Sequence, residues 1–417
     1  MKNLVGACVF GQSGGPTSVI NSSAAGVFLE ALNQKNITKV YGAAHGIKGI
    51  LEENLYVINE ESKEELELLK YTPSSALGSV RYRLKNVGDD ETDYKRILEV
   101  FKKYNIRYFF YNGGNDSMDT CNKVSKYLLK SGYDCNIIGV PKTIDNDLYG
   151  TDHCPGYGSA AKYIATTLME LNLDATVYDK GQITIVEIMG RNAGWLTAAS
   201  QLASYKGLGP DLVYLPEKAF DIDKFLIDVK KVADENNGKC IVALSEGIKT
   251  KDGEYVTEAL VNNANLSKDS FGHAQLGGVA AVLAELVKEK IGGKVRAIEF
   301  SLMQRCGAHL ASKVDVEEAF NAGKYAVKYA CEGYTDKMVV FKRAEGDKYD
   351  ISYELMDIEL AANTEKKVPQ EWIKPDNTGL TQEFVDYALP LIQGDCKATL
   401  VDGLPRFAKL KKVKVSK

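Results

Sequence analysis

The chain has 417 residues, 45% hydrophobic and 26% charged, a globular composition too long for one core, so two domains are expected. Its net charge of −4 argues against a general nucleic-acid binder, which needs a basic face, and leaves any anionic substrate to a few locally placed Arg and Lys residues. The eight cysteines (Cys8, Cys121, Cys135, Cys154, Cys240, Cys306, Cys331 and Cys396) form no C-x-x-C pair and stay apart from the four histidines, which disfavours a zinc site or disulfide framework and points to a reducing cytoplasm; no apolar run nears the ~20 residues of a membrane span.

The start, Met1-Lys2-Asn3-Leu4-Val5-Gly6-Ala7-Cys8, mimics a lipoprotein leader but lacks the apolar region of roughly 7–15 residues, and reads as the approach to a first strand. A unit then recurs: apolar run, polar or glycine-rich turn, amphipathic run. Residues 4–10 lead through GQSGGP (11–16) to a helix over 17–32, and 108–111 through NGGNDS (112–117) to a helix over 118–130. Residues 137–140 enter PKTIDND (141–147), and 183–188 pass through MGRNAG (189–194) to a helix over 195–205. Residues 212–215 lead through Pro216-Glu217 to 222–236, and 240–244 enter Ser245-Glu246-Gly247. Alternating strands and helices predict α/β architecture with parallel sheets, and each polar cluster falls just after a strand, where such sheets bind ligands. Beyond residue 335, residues 338–343, Gly346-Asp347 and 349–355 read as a β-hairpin, and the lysine-rich 407–417 as a solvated tail or edge strand.

The glycine turns are candidates for phosphate. Gly11, Gly14 and Gly15 let backbone N–H groups approach an anion before a helix expected to open at Thr17-Ser18, although a tight loop explains the same residues. Gly113-Gly114-Asn115-Asp116-Ser117 joins glycines to oxygen ligands suited to phosphate with Mg²⁺; helix capping, by Ser117, is the other reading. Asp145 and Asp147 stand two apart behind Lys142, and extended backbone would turn both into one pocket as base and as metal- or water-orienting group. A surface Asx turn is the alternative. Arg81, Arg83, Arg191, Arg296 and Arg305 are candidate phosphate clamps in the company of these turns, and ordinary ion-pair residues without it.

In chain order, Gly78 to Arg81 (G-S-x-R), Gly113 to Ser117 (G-G-D-x-S), Pro141 to Asp147 (P-x-T-I-D-N-D), Glu187 to Arg191 (E-x-M-G-R) and Gln304-Arg305 resemble the motifs of the phosphofructokinase family, over roughly residues 4–330. The resemblance implies two doubly wound α/β domains with the active site in the cleft between them. The donor domain would be 1–155 plus about 304–335, the sugar-phosphate domain 156–303, and 336–417 a C-terminal extension packed on the core. The implied chemistry is phosphoryl transfer to the 1-hydroxyl of fructose 6-phosphate, with Asp145 as general base. Thr143, Ile144 and Asp145 would contact the sugar, while Met189, Gly190 and Arg191 clamp substrate and Arg191 meets the transferring phosphoryl. Glu246 would bind sugar hydroxyls and Arg305 the 6-phosphate, with Arg296 lent by the neighbouring subunit of a homodimer or homotetramer. Gly11, Gly14, Gly15, Arg81, Gly114 and Ser117 would surround the donor, with Asn115 and Asp147 at Mg²⁺.

Relatives that use ATP usually carry glycine where this chain has Asp116 and Lys142. A carboxylate at Asp116 repels the α-phosphate of ATP, and Lys142 adds a cation where leaving charge develops, so pyrophosphate is the expected donor, as in the family branch with this pairing. The chain departs from the family at Asn115, where an aspartate usually holds the metal, at Gln182, in place of another subunit-lent arginine, and at Leu302, where His or Tyr is common. The first helix lacks the effector-binding arginines of allosteric relatives, so no such regulation is expected. The alternatives are an ATP-dependent phosphofructokinase, a kinase of sedoheptulose 7-phosphate, or an inactive sensor or structural subunit; the last conflicts with the presence of Asp145, Asp147 and Arg191.

Overall fold

The computed structural model describes residues 4–260, 278–346, 348–362, 364–396 and 398–416; Met1, Lys2 and Asn3 of the expected strand approach, Asp347 of the expected hairpin turn and Lys417 of the tail lie outside them. The first part of the chain forms β1 (Gly6–Gln12), β2 (Ile37–Ala43), β3 (Leu55–Val57), β4 (Ile106–Gly113) and β5 (Asn136–Pro141); β1, β4 and β5 arise from the expected apolar runs, and β2 and β3 are additional. The second part forms β6 (Ile183–Ile188), β7 (Leu212–Tyr214) and β8 (Cys240–Ser245) from the expected runs and the additional β9 (Val295–Glu299), and the hairpin forms β10 (Lys337–Arg343) and β11 (Ile351–Asp357).

The larger sheet has the order β11-β10-β5-β4-β1-β2-β3. Its five inner strands are parallel, and antiparallel β3 and β11 close the edges. Both faces are covered, which is why these strands are continuously apolar: Val9, Phe109 and Ile137 enter one core, Phe10, Phe110 and Ile138 the other. From β1 the chain winds outward to β2 on one side and to β4 and β5 on the other. The strand order thus reverses between β1 and β4, the crevice where ligands bind in such sheets. The register pairs Gly11 with Tyr111 and Gln12 with Asn112, so the turns after β1 and β4 emerge side by side. The smaller sheet, β7-β8-β6-β9, is wholly parallel; Ile188 pairs with Ser245, which sets the turns after β6 and β8 together.

Some helices differ from expectation. The first spans Ile20–Asn33, because the Thr17 hydroxyl accepts the Val19 N–H at 3.1 Å and holds Thr17-Ser18 in a non-helical turn. The run after β6 splits into Trp195–Ala198 and Gln201–Tyr205, joined through i→i+3 bonds such as Ser200 N–H to the Thr197 carbonyl. Helix Lys313–Cys331 returns the chain to the larger sheet by packing on Ile20–Asn33; a Cβ on Gly26 would lie 2.0 Å from the Phe320 carbonyl oxygen. The hairpin extends the larger sheet, with Lys337 and Met338 pairing Ile138 and Gly139. The lysine-rich tail forms an edge on β3, through Val57 N–H to the Val413 carbonyl and Val415 N–H to that of Leu55. Between them Val368, Ile373, Leu380, Phe384 and Leu391 enter the same core as Ile188 and Trp195.

Candidate active site

A cavity of about 300 Å³ opens where the strand ends of the two sheets face each other. The larger sheet contributes Ser13, Gly14, Gly15, Arg81, Gly114, Asn115, Asp116, Ser117, Lys142, Thr143, Asp145 and Asp147. The smaller contributes Met189, Gly190, Arg191, Asn192, Ala193 and Glu246, and Glu365 reaches in from the C-terminal region.

The turns are fixed by close contacts. Gly14 has φ 76°, its carbonyl accepts from the Ser79 hydroxyl at 2.6 Å, and the neighbouring Gly15 carbonyl accepts from Lys142 Nζ at 2.7 Å. Helix Asn115–Lys130 opens directly after Gly114, three residues earlier than expected, and no side chain caps it. Ser117 is therefore a helical residue in the first turn, its hydroxyl where a Cβ on Gly113 would fall, and the capping reading is corrected. The positive end of this helix opens into the cavity. Across the cleft, Gly190 donates its N–H to Glu246 at 3.2 Å and accepts the Ser245 hydroxyl on its carbonyl.

The route by which Asp145 and Asp147 reach the cavity corrects the extended-strand expectation. Asn146 between them has φ 55°, a left-handed conformation, so a turn directs both carboxylates inward. Asp145 is raised above the usual carboxylate range by burial, against the pull of Lys142 and the Thr143 hydroxyl. Asp147 is pushed up to about 7 by burial and by Asp145, and Glu246 to about 7 by burial against the Gly190 N–H bond. Burial lowers Lys142 to about 8, with Asp145 and Asp147 opposing. Asn115 donates Nδ2 to Asp147 Oδ2 at 3.2 Å, leaving its buried Oδ1 without a partner.

Five expected residues lie off the cavity wall, among them the exposed Arg83. Gly11 sits within β1, where a Cβ would be 2.8 Å from the Tyr111 ring; it serves packing rather than phosphate approach. Ile144 turns into the core under Gly156. Arg305 borders the cavity, its Nη1 3.1 Å from a Cβ placed on Gly15, and burial and then Arg81 lower its pKa. Arg296 is exposed on β9, its Nε donating to Gln182 at 3.0 Å. Ser13, Asn192, Ala193 and Glu365 line the cavity without having been singled out. The first three adjoin recognised turns and were findable there; Glu365, bonded to Asn192 Nδ2 at 3.2 Å, had no signal in its own surroundings.

Facing parallel sheets that aim glycine turns, an open helix end, cations and two adjacent carboxylates at one small cleft define an α/β protein of the phosphoryl-transfer class. Residues 8–328 match the family model Phosphofructokinase. The chain is 44% identical over 419 aligned positions to the pyrophosphate–fructose 6-phosphate 1-phosphotransferase of Xanthomonas campestris (99% of this chain, 98% of the relative), and 42% identical over 413 to that of Halomonas elongata (98% and 97%). The crystal structure of a pyrophosphate-dependent phosphofructokinase from Marinobacter aquaeolei superposes with a TM-score of 0.88 at 39% identity, covering 99% of this chain and 98% of that one. The chain belongs to the phosphofructokinase family.

Proposed function

We propose that the protein transfers a phosphoryl group reversibly from pyrophosphate to the 1-hydroxyl of fructose 6-phosphate, giving fructose 1,6-bisphosphate and phosphate. The observation that carries the donor choice is the pairing of Lys142, buried and held by the Gly15 carbonyl, with Asp116 on the first turn of the helix that faces it. The carboxylate opposes a longer nucleotide, and the lysine meets the charge-dense pyrophosphate. Gly14, Gly15, Gly114, Ser117 and Arg81 complete the donor end, and Met189, Gly190, Arg191, Glu246, Arg305 and Thr143 the sugar end. The corresponding division of the chain is 1–155 with about 304–335 for the donor and 156–303 for the sugar, with 336–417 packed on both.

Asp145 accepts the proton of the attacking hydroxyl. Burial makes it a better acceptor than a solvated carboxylate, and the Thr143 hydroxyl, 3.1 Å from the Asp145 N–H, helps orient it. Arg191 lies across the cleft to neutralise the transferring phosphoryl, and Lys142 the departing phosphate. Asp145 acts as base, so no phosphoenzyme forms. The lining carries five carboxylates (Asp116, Asp145, Asp147, Glu246, Glu365) against three cations (Arg81, Lys142, Arg191), a balance that calls for a cation to accompany an anionic donor. Asn115, with its unpartnered buried Oδ1, and Asp147 fit Mg²⁺, which would supply charge neutralisation. Among the described residues no three His, Cys, Asp or Glu side chains form a ready cage, in keeping with a metal that relies on water and phosphate oxygens.

Arg296 points outward from an edge strand, which supports its use by a neighbouring subunit in a homodimer or homotetramer. Among the described residues no helix is long and apolar enough to cross a membrane, and the eight cysteines are free thiols, which suits a cytoplasmic enzyme. Helix Ile20–Asn33 has no arginine and is packed against Lys313–Cys331, so we infer non-allosteric kinetics. Sigmoidal rates relieved by a nucleoside diphosphate would overturn that inference. The deciding assay supplies fructose 6-phosphate and Mg²⁺ with pyrophosphate or ATP. Turnover with pyrophosphate alone, and ATP use gained in Asp116→Gly, is the expected result. Turnover with ATP alone would refute the donor assignment, and inactivity with both would shift attention to another sugar phosphate.

A further inference from the structure

Asn146 is fully buried between the two carboxylates, in a backbone conformation that non-glycine residues seldom adopt. Its side chain makes two bonds: Oδ1 accepts the Cys154 N–H at 2.8 Å, and Nδ2 donates to the Tyr387 hydroxyl at 2.8 Å. That hydroxyl in turn donates to the Asp152 carbonyl at 2.9 Å. Lys366 grips the same loop from another side. Its N–H donates to the Asp147 carbonyl at 2.8 Å, and its buried Nζ to the carbonyls of Thr151 and Asp152 at 3.1 and 2.7 Å. The clamp is itself anchored: Trp195 Nε1 donates to the Lys366 carbonyl, Arg343 Nη1 to the Tyr387 carbonyl, and the Tyr387 ring packs against Trp195 and Trp372 with centroids 5.2 and 5.4 Å apart.

We propose that Tyr387 and Lys366 are positioning residues for the reaction: they hold Asn146 in its left-handed turn and so keep the carboxylates of Asp145 and Asp147 aimed into the cleft. Both lie outside residues 8–328, so this function belongs to the C-terminal region rather than to the matched part of the chain. Neither lines the cavity, so both act through the loop. The phosphate-facing turns after β1 and β4 and the arginines sit on other elements. Loss of the clamp therefore misaims the base more than it weakens ground-state binding, most of which rests on those other elements, and a displacement of about 1 Å can cost on the order of 10²-fold in rate.

The proposal rests on Asp145 acting as base, and its test separates the two ideas. Tyr387→Phe keeps the ring and removes only the hydroxyl. We expect kcat to fall about tenfold with both KM values within about twofold, melting temperature nearly unchanged, and amides of residues 145–154 exchanging with deuterium at least about tenfold faster. Asn146→Gly tolerates the backbone conformation but loses both side-chain bonds; adding Tyr387→Phe to it, which then removes only the bond to the Asp152 carbonyl, should lower kcat by much less than Tyr387→Phe does alone, the non-additivity of a shared route. Unchanged kcat, effects that multiply, or a parallel rise of both KM values with a lowered melting temperature would overturn the clamp. Unchanged exchange over 145–154 would also overturn it, and that readout does not depend on which donor or sugar the wild type uses. Should Tyr387→Phe fail to fold, Lys366→Met tests the other arm by the same kcat, KM and exchange criteria.

Discussion

The two ends of the cleft are built differently. Around the glycine turns Lys142 is 4% exposed and tied to Gly15, Ser79 is tied to Gly14, and the Ser117 hydroxyl fills the space beside Gly113, while Asp116 and Arg81 are exposed at the mouth. Across the cleft Leu302 and Met303 are 55% and 54% exposed, and Arg296 lies on an open edge strand, its Nε bonded to Gln182 just ahead of β6. Charge acts strongly only where water is excluded and dipoles are set in advance. On the proposed function, the buried Lys142 is the donor-end charge that acts most strongly, and the exposed Arg296, Leu302 and Met303 are the side chains that a neighbouring subunit would cover.

The strongest challenge to this contrast removes the group that serves both ends. Asp145→Asn should lower kcat by roughly 10²–10⁴-fold while pyrophosphate still binds, checked by steady-state kinetics and calorimetric titration. A variant retaining full turnover would remove the base from the mechanism. Next, Lys142→Met should cost about 10²–10³-fold in kcat/KM for pyrophosphate. In the wild type, burial has lowered this amine to about 8, so its cation is present below that pH and lost above it. The kcat/KM for pyrophosphate should thus decline as pH rises through about 8, and this decline should vanish in the variant. Arg296→Ala should raise KM for fructose 6-phosphate about tenfold, as expected for a lost charge-assisted hydrogen bond. Mixed with Asp145→Asn subunits, it should give hybrids more active than either parent; no complementation would return the sugar end to a single chain.

The smallest effect lies behind both ends. His153 is buried, with Nδ1 2.8 Å from Asp152 and Nε2 2.7 Å from Glu318. Burial depresses its pKa, but these carboxylates outweigh it and raise the value to about 9. Because the folded value lies above the unfolded one of about 6.5, the stabilisation is fully present below about pH 6.5 and lost as pH rises through about 9. It is on the order of 1–3 kcal/mol. Melting curves across that window should show the decline, and His153→Gln should flatten it.

The strand–turn–helix units and the clusters after them were legible because each is local: apolar runs, paired glycines and a carboxylate pair lie within a few residues of one another. That locality places Gly14, Gly114, Lys142, Asp145, Arg191 and Glu246 at strand ends, and parallel topology does the rest. Glu365 was not legible, since it reaches the cavity from a region whose own pattern shows only a hairpin and a tail. Gly11 was overread for a related reason: its turn suited phosphate, but the cross-strand Tyr111 ring claims the space beside it.

By itself, then, the sequence determined the α/β order of the chain, the identity of the charged groups and the presence of Asp116 and Lys142, the pairing on which the proposed donor choice rests. Only the tertiary structure decided how those groups are aimed. Asn146 meets Tyr387 across 241 positions of chain, and Asp147 is held by Lys366. Such bonds leave no periodicity or spacing to read, because their partners come from regions far apart in the chain.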